Sequence, residues 1–284
     1  MTKTRAAVSR KERKLHRPGC DEMFSAMALY DRIGVGYDTT RRADPYLLSR
    51  LIHHLRPHSR GRYLDVGSGT GNYTIAMHRS GVPILGLELS PIMLNRAREK
   101  GPAISWHNAS ADALPFRSAI FDGATCTFVH HHLRDPIAAF KEVRRVLKDG
   151  SRFVILNGTA EQLRHYWIVE YFPRALAKGT APYEKFETLD GLAKAGFRIE
   201  CEEKYDVRPD LQDLFLYCGK SRPEMYLDPR VRSGISFFAD APDQNEIEDG
   251  LKRLALDIES GRIADVMRSY AWDGGDYMFT VAEK

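Results

Sequence analysis

Three glycines at alternate positions, Gly67, Gly69 and Gly71, follow a short apolar run that carries one carboxylate, Asp65. The apolar run reads as a strand, and glycines in the turn after it let the backbone adopt conformations and approaches that a Cβ would block. Residues from Asn72 onward suit a helix, whose free N–H groups would face a ligand seated over the turn. The spacing bears on which ligand that is. A dinucleotide fingerprint wants Gly-x-Gly-x-x-Gly, and its third glycine would fall on Asn72, so a small polar ligand without a pyrophosphate fits this loop better than NAD. A merely tight strand-to-helix turn would use the same residues.

A second carboxylate adds to the pattern. Val82 to Glu88 reads as the next strand and closes on Glu88, 23 residues after Asp65. An acid at the end of the second strand of an open parallel sheet can accept both hydroxyls of a ribose bound across the strand ends. Asn108 to Phe116 then forms a polar turn closed by Leu114-Pro115-Phe116, where Ser110 and the backbone of Ala111 could contact an adenine edge. His130, His131 and His132 follow a fourth strand, Phe121 to Val129. Histidine has a pKa suited to general-base work, although orientation or packing would also account for these rings. Adjacent side chains on an extended segment alternate sides and cannot converge on one ion, so no metal site is expected.

These groups need a scaffold that brings strand ends together, and the chain supplies an alternation of strands and helices. Asp44-Pro45 opens a helix through Leu55, and Ser90-Pro91 opens another, each with a capping residue and a proline suited to the first turn. A third strand is expected at 103–107, a helix from Asp135 to Leu147, and a fifth strand from Phe153 to Leu156. Right-handed crossovers between parallel strands make this a Rossmann-like, doubly wound α/β fold with ligands at the carboxyl ends of the strands.

Composition excludes several classes. The 284 residues, 43% hydrophobic, suffice for one large core or a core with an appended cover. No apolar stretch approaches the ~20 residues needed to cross a bilayer, and a cytoplasmic location is expected. Cys20, Cys126, Cys201 and Cys218 have no paired or metal-ligand spacing. The formal charge of +4 is concentrated at one end: residues 1–17 hold seven Lys or Arg against Glu12, a net of +6 that leaves −2 for the rest. A solubilising terminus explains that segment better than nucleic-acid or lipid binding.

The chain resembles the class I S-adenosylmethionine-dependent methyltransferases, and within them the ubiquinone and menaquinone biosynthesis branch. The resemblance rests on Asp65-Val66-Gly67-Ser68-Gly69-Thr70-Gly71, Glu88, Ala109 to Phe116, Phe121-Asp122, and Arg144 to Gly150, and covers about residues 62–157. It implies S-adenosylmethionine as cofactor, a small-molecule acceptor, and a mostly parallel seven-stranded sheet whose last strand, Asp276 to Ala282, is antiparallel. The implied cofactor-binding residues are Tyr30, Tyr37, Arg42, Asp65, Gly67, Gly69, Gly71, Glu88, Leu89, Ser110, Ala111, Asp112 and Thr127. Where the family usually has an acid this chain has Ser110, so the adenine amino contact can pass to Asp112. His130 and His131 fall where the family opens toward its acceptor, and Tyr37, from a Tyr-Asp segment that in relatives covers the sulfonium, is expected nearest the methyl group. These three are the candidate catalytic residues.

Beyond the core, residues 1–20 read as a basic flexible tail, 21–57 as an N-terminal helical lid, 58–157 as the cofactor-binding core, and 158–186 as an insertion rich in aromatics. Residues 187–207 supply a helix and the sixth strand, 208–272 a second insertion with helices around 211–217 and 247–268, and 273–284 the final strand. The insertions after strands five and six are expected to fold together as a helical cover. Trp167 and Tyr171, four apart, would share a helical face and with Tyr183 could wall an apolar substrate pocket, although such a stripe equally suits ordinary core. Arg41 or Arg42 could meet the cofactor carboxylate. The expected partner is a small-molecule acceptor, with a homodimer allowed and nucleic acid disfavoured; a nucleic-acid methyltransferase or a non-catalytic cofactor-binding protein are the alternatives.

Overall fold

The computed structural model of the chain describes residue 33 and residues 36–185 and 188–284. The basic tail and Tyr30 lie outside the described residues, as does part of the expected lid.

Seven strands form one sheet: β1 (Tyr63–Val66), β2 (Ile84–Glu88), β3 (Trp106–Asn108), β4 (Phe121–Thr127), β5 (Leu147–Asn157), β6 (Arg198–Tyr205) and β7 (Tyr277–Glu283). Their order is β3-β2-β1-β4-β5-β7-β6, with β7 antiparallel to both neighbours and the other pairs parallel. The switch of strand order at β1/β4 leaves a crevice at the carboxyl ends of these strands, where such sheets bind ligands. In the core, α1 (Pro45–Leu55), α2 (Asn72–Arg79), α3 (Pro91–Lys100) and α4 (Pro136–Val146) cover the sheet. Asp44, Ser90 and Asp135 cap α1, α3 and α4 by accepting backbone N–H groups, each followed by proline.

The period-two alternation of the strands divides the core. Phe153 and Ile155 of β5 join Leu64, Val66, Phe140 and Val143 on one face, while Val154 and Leu156 join Leu47, Leu51, Tyr63 and Phe279 on the other. The second cluster runs on without a break into the aromatics of the insertions, so the cover shares the core of the sheet instead of forming its own.

The cover is built from α5 (Ala160–Arg164), α6 (Pro173–Lys185), α8 (Pro229–Ser233), α9 (Ser236–Ala239), α10 (Gln244–Ser260) and α11 (Ile263–Ser269), with α7 (Thr188–Lys194) returning to the sheet. Several boundaries differ from those expected. The fifth strand runs from Leu147 to Asn157, not from Phe153 to Leu156. The third strand lies at 106–108, not 103–107. The fourth ends at Thr127, because Phe128 takes φ 57° and turns the histidines into a 3-10 turn, so their extended alternation does not apply. The helix expected at 211–217 is irregular chain ending in a 3-10 turn at Leu216–Gly219. The helix expected at 247–268 is two helices, broken where Gly261 adopts φ 79°.

Candidate functional site

The glycine loop hangs from β2: the amides of Gly67 and Ser68 both donate to the Leu87 carbonyl, at 2.8 and 2.9 Å. Gly69 holds φ 56°, and a Cβ there would meet nothing nearer than the end of Met93 at 3.9 Å, so its glycine serves the backbone turn and not packing. Its N–H donates to Glu88 Oε2 at 2.9 Å, and the Ser90 N–H donates to Oε1 at 2.8 Å. Glu88 is thereby held in one orientation. Burial raises its pKa while these backbone donors lower it. Gly71 differs. It is the N-terminal cap of α2 at φ 80°, and a Cβ would stand 2.5 Å from the Trp106 ring; it lies behind the loop and not in the ligand cavity.

Asp65 is buried and accepts from Thr74 Oγ1 at 2.6 Å and Thr125 Oγ1 at 2.8 Å. Burial pushes its carboxyl up to about 6 against the opposing effect of the two hydroxyls. The segment before α1 is strapped across the loop by Asp38, which accepts from Thr70 Oγ1 at 2.6 Å and from Lys100 Nζ at 2.7 Å. Tyr37 beside it faces the cavity, with Arg41 Cζ 4.7 Å from its ring centroid. Burial pushes the Tyr37 phenol up to about 12, partly offset by Arg41, so it is a neutral hydroxyl and no base. Arg41, not Arg42, reaches the cavity; Arg42 is exposed, because the 3-10 turn at Tyr37–Thr39 directs the preceding residue inward. Arg41 Nε donates to Asp213 Oδ1 at 2.5 Å and the Tyr73 hydroxyl donates to Oδ2 at 3.1 Å, a buried cluster joining three distant stretches of chain.

On the far side of Glu88, Leu89, Ala109, Ser110 and Ala111 line the cavity. Asn108 Nδ2 holds the carbonyls of Glu88 and Leu89 at 2.9 and 2.8 Å. Asp112 does not line it, being drawn to Arg134 at 2.8 Å.

At the end of β4, Thr127, His131 and His132 face the cavity, whereas His130 is buried outside it against the Asn157 amide and edge-on to Tyr183 at 5.5 Å. His131 stacks on Tyr183 at 5.1 Å. Burial lowers the pKa of all three histidines, to about 3 for His130 and about 4 for His131, so they are uncharged at neutral pH. The buried Ser68 Oγ, Thr127 Oγ1 and His131 Nδ1 have no hydrogen-bond partner among the described residues, and all three residues line the cavity. Such orphaned groups fit a polar ligand. Among the described residues no cluster of His, Cys, Asp or Glu is placed to hold a metal ion.

The cavity is about 700 Å³ and continues from the loop into a second half walled by Phe128, Leu176, Tyr183, Phe215, Phe237 and Tyr277. Of the expected substrate residues only Tyr183 is there. Trp167 starts a 3-10 turn, not a helix, and its indole N–H donates to the Lys220 carbonyl at 3.0 Å, while Tyr171 donates to Asp257 at 2.7 Å; both are core of the cover. Asp213, Tyr73, Phe128 and Phe215 were missed by sequence reasoning. Nothing local marks Asp213, whose partner Arg41 is 172 residues away.

Residues 64–155 match the family model described as a methyltransferase domain. A ubiquinone biosynthesis O-methyltransferase of Xylella fastidiosa is 31% identical over 204 residues, covering 60% of this chain and 83% of that protein. A ubiquinone/menaquinone biosynthesis C-methyltransferase of Desulfotalea psychrophila is 30% identical over 162 residues, 55% of this chain and 65% of that protein. Among solved structures, a candidate methyltransferase from an antibiotic biosynthesis pathway of Anabaena variabilis superposes with a TM-score of 0.75 at 28% identity, covering 86% of this chain and 99% of that one. With the strand order, the glycine loop and the acid closing β2, these likenesses settle the matter: the chain belongs to the class I S-adenosylmethionine-dependent methyltransferases, related to their ubiquinone and menaquinone biosynthesis branch.

Proposed function

We propose that the protein methylates an uncharged, largely apolar small molecule, with the cofactor across the ends of β1 and β2 and the acceptor in the aromatic half of the same cavity. One observation carries this reading: a single space of about 700 Å³ joins the glycine loop and Glu88 to a wall of aromatic side chains, within the ~300–1,000 Å³ common for small-molecule sites. Glu88 would take the ribose hydroxyls, Ser110 and the Ala111 backbone the adenine edge, and Arg41 the carboxylate through Nη1, which its bonds to Asp213 leave unused. When bound, S-adenosylmethionine supplies a methyl group on a positively charged sulfur that needs no further activation.

The chain's own task is to exclude water and to aim the acceptor. His131, neutral and with Nδ1 unpartnered, is suited to accept a hydrogen bond or proton from a hydroxyl or amine of the acceptor. Every Lys and Arg on the wall already faces a carboxylate: Arg41 with Asp213, Arg134 with Asp112 and Lys178 with Asp240. A neutral acceptor therefore suits the site better than an anionic one. The quinone-pathway names of the relatives agree with an aromatic acceptor.

The test has two parts. Calorimetry should detect S-adenosylmethionine and S-adenosylhomocysteine but not NAD. Incubation with a metabolite extract should then yield an apolar compound heavier by one CH2 group. Binding of NAD without binding of the methyl donor would refute the reading.

A further inference from the structure

We infer that Asp213 is a positioning residue that couples the cofactor half of the cavity to the acceptor half. The inference rests on the proposed role of Arg41 at the cofactor carboxylate. Asp213 lies in the second insertion and is 1% exposed. Its two oxygens are taken by Arg41 Nε at 2.5 Å, Arg41 Nη2 at 3.3 Å and the Tyr73 hydroxyl at 3.1 Å. A bidentate guanidinium–carboxylate contact fixes both position and plane, so Arg41 cannot swing away from the loop. Tyr73 belongs to α2, whose first residue, Asn72, also lines the cavity.

The same stretch of chain forms the acceptor wall. The Phe215 N–H donates to the Asp213 carbonyl at 2.8 Å, and the Phe215 ring packs on Phe128 at 4.7 Å and on Tyr277 at 5.2 Å. On either side of Asp213 the insertion is tied to the strap before α1. The Gln212 N–H donates to Asp44 Oδ2 at 3.0 Å, and the Leu214 N–H donates to the Thr40 carbonyl at 3.1 Å. Residues 212–215 thus form a short bridge with Arg41 and Tyr73 on one side and the Phe215 wall on the other. Arg41 and Phe215 are held by one short segment, so contacts that the cofactor carboxylate adds at Arg41 stiffen the bridge and the Phe215 wall with it. The coupling is reciprocal, and an acceptor seated on Phe215 favours the cofactor by the same factor.

The test uses the full chain and S-adenosylhomocysteine as the probe, read by calorimetry and by hydrogen exchange. In the unmodified protein, saturating probe should slow exchange across residues 211–216. Asp213→Asn keeps the shape and removes the charge. It should weaken the probe ~10-fold or more, within the ~5- to 150-fold span of coupling between sites, and abolish the added protection at 211–216 even at saturation, while β5 and β7 keep theirs. Asp213→Glu should recover part of both. Should Asp213→Asn fail to fold, Tyr73→Phe removes one contact to the carboxylate, and with it the long 3.4 Å bond from the Asp44 N–H, without touching the Asp213 charge; it should weaken the probe ~3-fold with partial loss of protection. Normal affinity and normal protection in the folded variant would overturn the inference. Arg41→Gln separates the two levels. If it binds the probe normally, the carboxylate reading of Arg41 fails; if it binds weakly while Asp213→Asn binds normally, only the coupling fails.

Discussion

Replacing Glu88 with alanine should weaken S-adenosylhomocysteine by ~2 to 4 kcal/mol. The magnitude follows from the orientation of the carboxylate. Its two oxygens already accept the Gly69 and Ser90 amides at 2.9 and 2.8 Å, so the carboxylate is held in place before the ribose arrives. A hydrogen bond to a charged group contributes ~1.5–3 kcal/mol, and two such bonds to the ribose would total ~3–6. Water entering the space left by the side chain would meet part of that loss. At ~1.4 kcal/mol per decade the dissociation constant should rise ~30- to 700-fold. Glu88→Gln should not behave as a conservative change. Both oxygens face backbone donors, so its NH2 group must confront one of them, and its affinity should fall nearly as far. The assay is titration calorimetry at neutral pH beside a thermal melt. A variant that melts many degrees lower yet binds normally while folded would make Glu88 a structural acid and refute the reasoning.

Other substitutions separate binding from packing. Asp65→Asn should raise the melting temperature at neutral pH, because burial holds the native carboxyl at about 6 against an ordinary 3.8. The folded state takes up that proton before the unfolded state does, so the cost of the buried charge is fully present above about pH 6 and disappears as pH falls toward the ordinary value. The advantage of Asp65→Asn should therefore shrink across that window, and an advantage independent of pH would contradict the assignment. Trp167→Ala should cost ~3–5 kcal/mol of stability, as truncating a buried aromatic does, and leave the affinity for S-adenosylhomocysteine unchanged; weakened binding would return Trp167 to the ligand site. His131→Ala should lower turnover ~100-fold if the ring accepts the acceptor's proton. With the pKa of His131 near 4, kcat/KM should be flat around neutrality, and an inflection there that vanishes in His131→Ala would contradict a neutral imidazole.

The parts of the site legible in the sequence are those made by short stretches of chain. Asp65, the glycines and Glu88 announce themselves because strand, turn and helix succeed one another within a few residues, and the strand–helix alternation then sets the sheet. The rest of the site was harder to read because distant contacts make it. A 3-10 turn at residues 37–39 decides that Arg41 and not Arg42 faces inward, and the carboxylate that holds it comes from the second insertion. Trp167 and Tyr171 have the spacing of a helical face, but Trp167 starts a 3-10 turn and both rings are buried in the core of the cover, so that spacing carried no information about the cavity. Phe128 became part of the wall through a left-handed backbone turn that no residue pattern marks.

The central claim is that one cavity holds cofactor and acceptor side by side, meeting at the end of β4. A crystal structure of the full chain soaked with S-adenosylhomocysteine tests it most directly. Ribose hydroxyls are expected on Glu88, the carboxylate on Arg41, and the sulfur directed toward His131 and Tyr183. Density for the ligand in the aromatic half, or a sulfur turned away from His131, would contradict it.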